Sequence, residues 1–313
     1  MNDLTLGIDT SNYKTSVAVT DPEGGTVFQR SEFLKVEQGE RGLRQSVAFF
    51  RHSQVLPLFI EDVFQHVDAE NIRTVAVSDR PRNVEGSYMP VFLAGTNAGR
   101  ILAAALGAEY QTFSHQEGHI AAALSTIPKI ESPFLFFHLS GGTTECLLCR
   151  RKKRGYQVEI VGGTKDISIG QLLDRAGVKL GYSFPAGKYL DQIAGSEPVS
   201  VRPGKIKIKD GYFNLSGTET QVLRSIDENG DAVIPGLFER IGALLRDSAS
   251  DLASRYIIRD VILAGGVAAS NTIRLQAESW TEETTGCRIH FGSRELSGDN
   301  AVGISLLGGQ CNR

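Results

Sequence analysis

The feature that most constrains the fold of this chain is a strand–loop–strand pattern that occurs twice. It is found first in LTLGIDTSNYKTSVAVTD, from Leu4, and again in SPFLFFHLSGGTTECLLCRR, from Ser132. Each copy is followed by a third predicted strand and then by stretches with helical spacing. One α/β unit used twice predicts two domains, an N-terminal lobe of residues 1–128 and a C-terminal lobe of residues 129–313, with a ligand cleft between them.

Periodicity places the larger elements between these hairpins. Apolar residues recur at helical spacing in LRQSVAFFRHSQVLPLFIEDVFQHV, PVFLAGTNAGRILAAALG and VIPGLFERIGALLRDSASDLASRYI, which predict long helices. RTVAVSD is typical of a buried strand, and RDVILAGGVAASNTIRLQAES predicts a strand, a glycine turn and a helix.

Composition excludes several classes of protein. The 313 residues are 41% hydrophobic with a net charge of −3, so no overall positive field attracts nucleic acid or an acidic membrane. The sequence predicts no transmembrane helix and no signal peptide. Four cysteines are too few for a disulfide framework, and a reducing cytoplasm is the simplest setting. Cys146 and Cys149 lie three apart on a predicted strand, so they face opposite sides and are expected to pack rather than chelate.

His115 and His119 form the most distinctive local pattern, within His-Gln-Glu-Gly-His. Residues four apart lie on one face of a helix, so both imidazoles can reach one metal ion. Glu117 lies about 200° around the helix from His115, which places it badly to act as the base of a zinc protease. Surface or capping histidines are the alternative.

Polar residues and glycines follow three predicted strands. His138 precedes Ser140-Gly141-Gly142, whose backbone N–H groups can converge on an anion. Gly265-Gly266 joins a strand to a helix, a position suited to a nucleotide. Asp9 ends the first strand, and Asp299 precedes an apolar run. A satisfied histidine, an Asx turn and a helix cap are the respective alternatives for His138, Asp9 and Asp299.

Two segments are locally basic. One is the run from Arg150 to Arg154, and the other alternates Lys205, Lys207 and Lys209 with isoleucines, which predicts lysines on one face of a strand. Contact with nucleic acid is one interpretation, and a solvated turn is the other.

In order along the chain, these motifs resemble the catalytic-subunit family of tRNA threonylcarbamoyladenosine synthases, formerly described as sialoglycoprotein endopeptidases. The resemblance covers almost the whole chain. The segments that carry it are Asp9-Thr10-Ser11, His115–His119, Ser140–Gly142, the Asp166/Gly170/Gln171/Asp174 stretch, Phe184–Gly187, Ser216–Thr220, Gly265–Val267 and Asp299–Ala301.

The resemblance implies two ribonuclease-H-like lobes of the actin/hexokinase/Hsp70 superfamily. It implies one divalent metal ion, iron or zinc, held by His115, His119 and Asp299, with His138 as a further ligand. It also implies an adenine nucleotide or acyl-adenylate. The residues expected to hold that nucleotide are His138, Leu139, Ser140, Gly141, Gly142, Asp174, Gly187, Gly266, Ser270 and Asn271.

The family reaction moves a threonylcarbamoyl group, or in related enzymes a carbamoyl group, from an adenylate to an acceptor amine. An adenine of tRNA is one acceptor expected here, and a different acceptor in a divergent paralogue is the alternative. Expected catalytic residues are Asp9, Tyr13 and Lys14. The expected partners are tRNA and either a homologous subunit of the same fold or a second copy of the chain, with no membrane partner.

The chain departs from the family pattern at several positions. Tyr13 and Lys14 replace an acidic pair, Gln171 replaces a glutamate, Glu219 replaces a lysine, and Ser270 replaces an asparagine. The alternative to a transferase is therefore a non-enzymatic paralogue that binds nucleotide and metal to regulate or scaffold a partner. A sugar or acetate kinase on the same fold is the third hypothesis.

Overall fold

The computed structural model describes residues 3–11, 14–34, 44–298 and 301–310. The chain divides into two compact units. The first comprises Met1–Thr126, Arg151–Gln157 and Asp299–Arg313, and the second comprises Ile127–Arg150 and Val158–Gly298. The division at Thr126 lies two residues before the end of the predicted N-terminal lobe. The observed division also differs from the predicted one in a second way. Arg151–Gln157 and Asp299–Arg313, which fall within the predicted C-terminal lobe, belong to the first unit.

The secondary structure of the described residues alternates strands and helices. The strands are β1 Leu4–Asp9, β2 Lys14–Thr20, β3 Thr26–Phe33, β4 Ile72–Arg80, β5 Glu109–Ser114, β6 Phe134–Leu139, β7 Thr144–Arg151, β8 Tyr156–Thr164, β9 Tyr212–Phe213, β10 Asp260–Ala264 and β11 Arg288–Phe291. The helices are α1 Gln45–His66, α2 Leu93–Leu106, α3 His115–Leu124, α4 Ile169–Lys179, α5 Gly187–Ser196, α6 Ser216–Asn229, α7 Ile234–Tyr256, α8 Asn271–Ala277, α9 Glu282–Thr285 and α10 Val302–Gln310.

The first unit contains a five-stranded sheet in the order β3-β2-β1-β4-β5. The hairpin strands β1, β2 and β3 pair antiparallel, and β4 and β5 continue the sheet parallel to β1. All six residues of β1 are buried, as expected for a central strand covered on both faces. Its apolar residues Leu4, Leu6 and Ile8 pack with Leu56 and Phe59 of α1 in one core cluster.

The opposite face of the first sheet is covered by α10, which packs closely on β1 and α3. A Cβ atom on Gly303 would lie 1.8 Å from the carbonyl oxygen of Gly118 in α3, and one on Gly7 would lie 2.5 Å from the carbonyl oxygen of Ala301. The contacts of α10 with α3 and of β1 with residue 301 are therefore made at glycines, because a side chain would not fit there. This packing fixes α3 against the sheet.

The second unit contains a six-stranded sheet in the order β11-β10-β6-β7-β8-β9. Its hairpin β6–β7 is antiparallel, and β10 and β11 extend the sheet parallel to β6. Apart from the short β9, this order repeats that of the first sheet. The predicted duplication of one α/β unit is confirmed. The loop after β6 occupies the same topological position as the loop after β1.

The core of the second unit lies between its sheet and a helical layer in which α7 contributes many of the buried residues. Cys146 and Cys149 on β7 are buried free thiols, and burial raises the pKa of both, so their predicted packing role is confirmed. The predicted strand through Lys205 and Lys207 is wrong, because residues 201–208 form no ladder. No helix in the described ranges is long and apolar enough to span a bilayer.

Candidate functional site

The first cluster of functional side chains lies at the start of α3. Ser114 is the N-cap, and its hydroxyl accepts a hydrogen bond from the backbone N–H of Glu117 at 3.2 Å. Glu117 in turn accepts the N–H of Ser114 at 2.9 Å, which completes a capping box. The helix therefore begins at His115. His119 lies one turn later, with its Nε2 2.9 Å from Nε2 of His115.

Asp9 lies beside this pair at the end of β1. Its Oδ2 is 2.6 Å from Nδ1 of His115, and its Oδ1 accepts hydrogen bonds from the Ser11 backbone N–H and the Ser78 hydroxyl. Only 1% of Asp9 is exposed, and these donors satisfy the buried carboxylate. A carboxylate that accepts from Nδ1–H of His115 leaves its Nε2 lone pair directed at His119.

This arrangement fits a metal ion. Two imidazole nitrogens about 2.1 Å from one ion lie about 3 Å apart when the angle between the bonds is near 90°. The His115 and His119 nitrogens have that spacing, and Asp9 orients the first imidazole. Across the described ranges, no three His, Cys, Asp or Glu side chains gather as a complete metal site. Predicted ligand Asp299 lies outside the described residues.

His138 belongs to the second unit, where it is the penultimate residue of β6. It is 9% exposed, and its backbone pairs with Glu145 of β7 and Ala264 of β10. The structure thus brings together two predicted ligands, His115 and His119, and adds Asp9 as the partner of the first. The assignment of His138 as a further ligand stays a prediction.

His52 of α1 contacts the start of β2 and is absent from the sequence prediction. Its Nδ1 is 2.7 Å from the Thr15 hydroxyl, and the side chain is fully buried. Burial lowers the pKa of His52 to about 4, against opposing effects from Asp9 and the Ser11 backbone. The residue is therefore neutral at pH 7. The available signal was a histidine within the apolar stripe of α1, where Ala48, His52 and Leu56 are all buried.

The altered residues of the first loop are only partly described. Tyr13 lies outside the described residues. Lys14 begins β2, and its ammonium nitrogen lies 5.2 Å from the ring centroid of Phe33, its cross-strand neighbour. This geometry is a cation–π contact. Its predicted catalytic role stays a prediction.

The loop after β6 carries the predicted anion site of the second unit. The Ser140 hydroxyl accepts the backbone N–H of Thr143 at 3.1 Å, which shapes the turn around Gly141 and Gly142. Leu139 is fully buried, and its carbonyl accepts the Val267 N–H at 2.9 Å. Leu139 therefore holds the second glycine turn through its backbone, and its side chain belongs to the core.

Four glycines predicted to contact the nucleotide share one property. A Cβ atom there would meet no atom within 4 Å, and the four are Gly141, Gly142, Gly187 and Gly266. Neighbouring glycines differ, since a Cβ on Gly170 would lie 2.4 Å from Cα of Gly141, and one on Gly265 would strike the Leu139 carbonyl. Packing requires Gly170 and Gly265, whereas the open four leave backbone accessible to a ligand.

Asp174 caps the start of α5. Its Oδ1 accepts the Ala186 N–H at 2.8 Å, and the N–H of Gly187 is a further donor to the carboxylate. Burial raises the pKa of Asp174, and the two backbone donors oppose that rise. The structure therefore brings Asp174 and Gly187 together, as the ribose prediction requires.

Asp191 is a residue that sequence reasoning missed. Its carboxylate accepts the Ser270 hydroxyl at 2.6 Å and the backbone N–H groups of Asn271 and Thr272 at 2.8 and 3.0 Å. Burial alone would raise its pKa, but these donors outweigh burial and hold the pKa below its usual range. Ser270 and Asn271, predicted to bind nucleotide, are thus positioned by Asp191.

Gln171 has a structural role at its position. Its side-chain oxygen accepts the Ser168 N–H at 3.2 Å, and the Ser168 hydroxyl accepts the Gln171 N–H at 3.0 Å. This capping box at the start of α4 can be made by glutamine or glutamate. The Ser168 hydroxyl also donates to the Gly141 carbonyl at 2.6 Å, so α4 supports the glycine loop.

The repeated sheets and their hairpin loops define a protein of the actin/hexokinase/Hsp70 class. The solved structure of HypF from T. kodakarensis shares this fold, with a TM-score of 0.65 and 16% identity over 99% of this chain and 48% of that one. Component A of (R)-2-hydroxyglutaryl-CoA dehydratase from Acidaminococcus fermentans has a TM-score of 0.55 and 15% identity, covering 98% of both chains. At these identities the likeness shows the fold alone.

Sequence comparison identifies the family. The family model TsaD, tRNA N6-adenosine threonylcarbamoyltransferase, matches residues 33–306, and the chain belongs to this family. The tRNA N6-adenosine threonylcarbamoyltransferase of Thermotoga neapolitana is 28% identical over 312 residues, 97% of this chain and 92% of the relative. That of Geobacillus thermodenitrificans is 28% identical over 320 residues, 97% and 90% of the two chains.

Proposed function

We propose that the protein transfers a threonylcarbamoyl or carbamoyl group from an acyl-adenylate to the exocyclic amine of an adenine in tRNA. Family membership supports this reaction class. The observation that carries the proposal is the arrangement of Asp9, His115 and His119 at the start of α3. In the reaction, the amine nitrogen bonds to the acyl carbon, the bond from that carbon to the adenylate oxygen breaks, AMP leaves, and the amine releases one proton.

His115 and His119 would hold the divalent ion, iron or zinc, and Asp299 and His138 are the proposed additional ligands. When bound, such an ion supplies positive charge to the acyl carbonyl and the leaving phosphate. Asp9 keeps the proton of His115 on Nδ1, so that Nε2 offers a lone pair. His52, held neutral by burial, contacts the Thr15 hydroxyl at the start of β2.

The second unit would bind the nucleotide. Gly141, Gly142 and Gly266 present backbone without side chains, which suits phosphate and ribose. Asp174 and Gly187 would contact the ribose at the start of α5. Because Asp174 already accepts backbone N–H groups, its position is fixed before a ligand arrives, and a preorganised group binds at a lower entropic cost.

The departures from the family pattern bear on the alternative of a non-enzymatic paralogue. Gln171 fills a capping box in which glutamine and glutamate are equivalent, so this departure alone gives no reason to infer lost activity. Lys14 lies over the Phe33 ring, so its ammonium group has a cation–π partner within the same sheet. The transferase is therefore the better-supported proposal, with tRNA as the acceptor that family membership favours.

The test combines metal analysis with transfer assays. Wild type and His115→Ala are incubated with threonylcarbamoyl-adenylate and a tRNA transcript, alone and with a homologous partner subunit. His66→Ala is the control, because His66 is a surface residue whose ring is hydrogen-bonded to the backbone carbonyl of Asp62. We expect near-stoichiometric metal and modified adenosine by mass spectrometry with wild type and the control. His115→Ala should lose the metal and at least about 100-fold in rate, since a bound ion contributes several kcal/mol.

Two results would contradict the proposal. A wild-type protein that binds metal and adenine nucleotide but modifies no tRNA, with or without the partner, favours the non-enzymatic paralogue. A metal-free wild type with full transfer activity would remove His115 and His119 from the ligand set.

A further inference from the structure

The β7–β8 hairpin ends in five consecutive cationic residues. Arg150, Arg151, Lys152, Lys153 and Arg154 are all exposed. The strands of this hairpin belong mainly to the second unit, but its tip, Arg151–Gln157, belongs to the first. The tip is therefore positioned by residues of the unit that contains His115 and His119.

Tyr156 and Glu117 hold the tip in place. The backbone N–H of Tyr156 donates to Oε1 of Glu117 at 3.0 Å, and the Tyr156 carbonyl accepts the Asn83 side-chain amide at 3.1 Å. Asn83 also donates to the same Glu117 oxygen at 3.3 Å. Both Glu117 and Tyr156 are almost fully buried. Gly155 has a φ of +67°, and a Cβ there would strike the Glu117 carboxylate.

Glu117 connects this basic tip to the histidine pair. It lies in the first turn of α3, between His115 and His119, and its other carboxylate oxygen caps the helix at Ser114. One buried side chain thus fixes both the helix and the tip. The middle glutamate of the His-Gln-Glu-Gly-His motif has a positioning role toward the hairpin.

A second exposed segment is attached at the same place. The carbonyl of Pro81 accepts the backbone N–H of Gln116 at 3.1 Å, so the loop after β4 touches the first turn of α3. Arg82 on this loop is exposed, and Tyr88, six residues later, is 62% exposed. Exposed cations and an aromatic ring are the side chains that bind phosphates and stack on unpaired bases.

The charges of the basic run, Arg150–Arg154, are only partly neutralised. Arg150 lies 3.8 Å from Glu159, and Arg154 lies 3.5 Å from Glu109, both at the surface, where such pairs contribute little. In the described ranges of the chain, Lys152 and Lys153 make no ion pair. Since the whole chain has a net charge of −3, this positive surface is local.

We propose that the hairpin tip, with Lys152 and Lys153 as its main contacts, binds the phosphate backbone of the RNA acceptor and holds it beside α3. This inference rests on the proposed function, because it assigns an RNA-binding surface to that reaction. RNA is favoured over an acidic membrane because residues 150–154 expose no apolar side chain that could insert into lipid. A rigidly held tip also lowers the entropy lost on binding.

The experiment uses the full chain with a fluorescent tRNA transcript and compares two double variants of equal charge change. Lys152→Glu with Lys153→Glu alters the tip, and Lys205→Glu with Lys207→Glu alters the other exposed basic segment, in the second unit. Dissociation constants are measured by anisotropy from 50 to 200 mM KCl. Transfer is measured at saturating tRNA, with metal content and nucleotide affinity as controls for the fold.

The tip variant should bind tRNA at least about 10-fold more weakly. The slope of the logarithm of its binding constant against the logarithm of salt concentration should become shallower by about 1.5, because two phosphate contacts are lost. Its KM for tRNA should rise while kcat, metal content and nucleotide affinity remain at wild-type values. The variant of Lys205 and Lys207 should keep the wild-type slope.

Other outcomes overturn the proposal in distinguishable ways. Wild-type transfer with an unchanged slope in the tip variant rejects the surface and leaves the proposed function standing. An equal effect of both double variants indicates a general charge effect. Failure of wild type to bind or modify tRNA removes the function and the surface together. Binding of phosphatidylserine vesicles, but not tRNA, through Lys152 and Lys153 would assign the tip to a membrane.

Discussion

The loops after β1 and β6 occupy equivalent positions in the two units, yet they present opposite chemistry. The first loop begins beside Asp9, the last residue of β1, whose buried carboxylate is hydrogen-bonded to the His115 imidazole. The second contains Gly141 and Gly142, which present bare backbone. One fold position thus carries a buried carboxylate–imidazole pair in one unit and bare glycine backbone in the other. The two units share one strand order, and a few residues in each loop make the difference between them.

Alanine substitutions at two neighbouring glycines would sharpen this contrast most. Gly170→Ala places a Cβ 2.4 Å from Cα of Gly141 and should destabilise the protein by about 2–3 kcal/mol through overpacking. Gly142→Ala meets open space and should change unfolding free energy by less than about 0.5 kcal/mol. Gly142→Ala should nevertheless weaken adenine-nucleotide binding about 10-fold, the equivalent of one hydrogen bond.

Urea denaturation and calorimetric titration check this pair. Unchanged nucleotide affinity in Gly142→Ala would break the assignment of the second loop to the ligand. Equal stability of the two variants would show that the close approach of Gly170 and Gly141 is not enforced.

Asp9→Asn tests the first loop. The amide keeps the size of the side chain but loses the negative charge that fixes the Nδ1 proton of His115. Loss of such an outer carboxylate lowers metal affinity about 10–100-fold. Competition with a chelator measures this change, and Asp62→Asn, in a surface pair with Arg30, is the control. Wild-type metal affinity in Asp9→Asn would mean that the carboxylate does not orient the histidine.

Asp191→Asn should have the smallest effect, and that effect should depend on pH. The folded-state pKa of Asp191 is lowered, so its ionised form stabilises the native state above the ordinary aspartate pKa of about 3.9. That contribution disappears as the pH falls through the lowered pKa. At pH 7 the free energy of unfolding of the variant should be lower than that of wild type by about 1 kcal/mol, as for loss of a helix cap. In strong acid the two proteins should be equally stable.

Denaturation at pH 7 and at successively lower pH checks this prediction. A stability difference that stays constant into strong acid would assign the effect of Asp191→Asn to packing instead of charge.

Local patterns in the sequence predicted much of this architecture. The spacing of His115 and His119 indicated a shared helix face, and their Nε2 atoms do converge. Alternation and apolar runs predicted both hairpins and the long helices α1 and α7. Helix α6 was missed because its buried stripe has only three residues, two of them apolar, and β11 because four residues carry little pattern.

The unpredicted part of the site consists of contacts between distant positions. Asp9 reaches His115 across 106 residues because β4 and β5 extend the sheet beyond β1. Asp191 meets Ser270 across 79 residues, and Glu117 meets Tyr156 across 39. Such pairs depend on how elements pack, which periodicity along one segment does not encode. A clear local pattern can also mislead. Lys205 and Lys207 alternate with isoleucines as in a strand, yet this segment is not part of a sheet.

The close packing of α10 on α3 has a consequence for biosynthesis. Gly118 of α3 packs against Gly303 of α10, which is synthesised much later. A ribosome that has finished residues 1–126 has therefore produced α3 without α10, the helix that covers it. Translation at about 5–20 residues per second means that this surface stays uncovered for several seconds or longer. The second unit, made in between, can fold first. Completion of the packing around the histidine helix is therefore coupled to late synthesis.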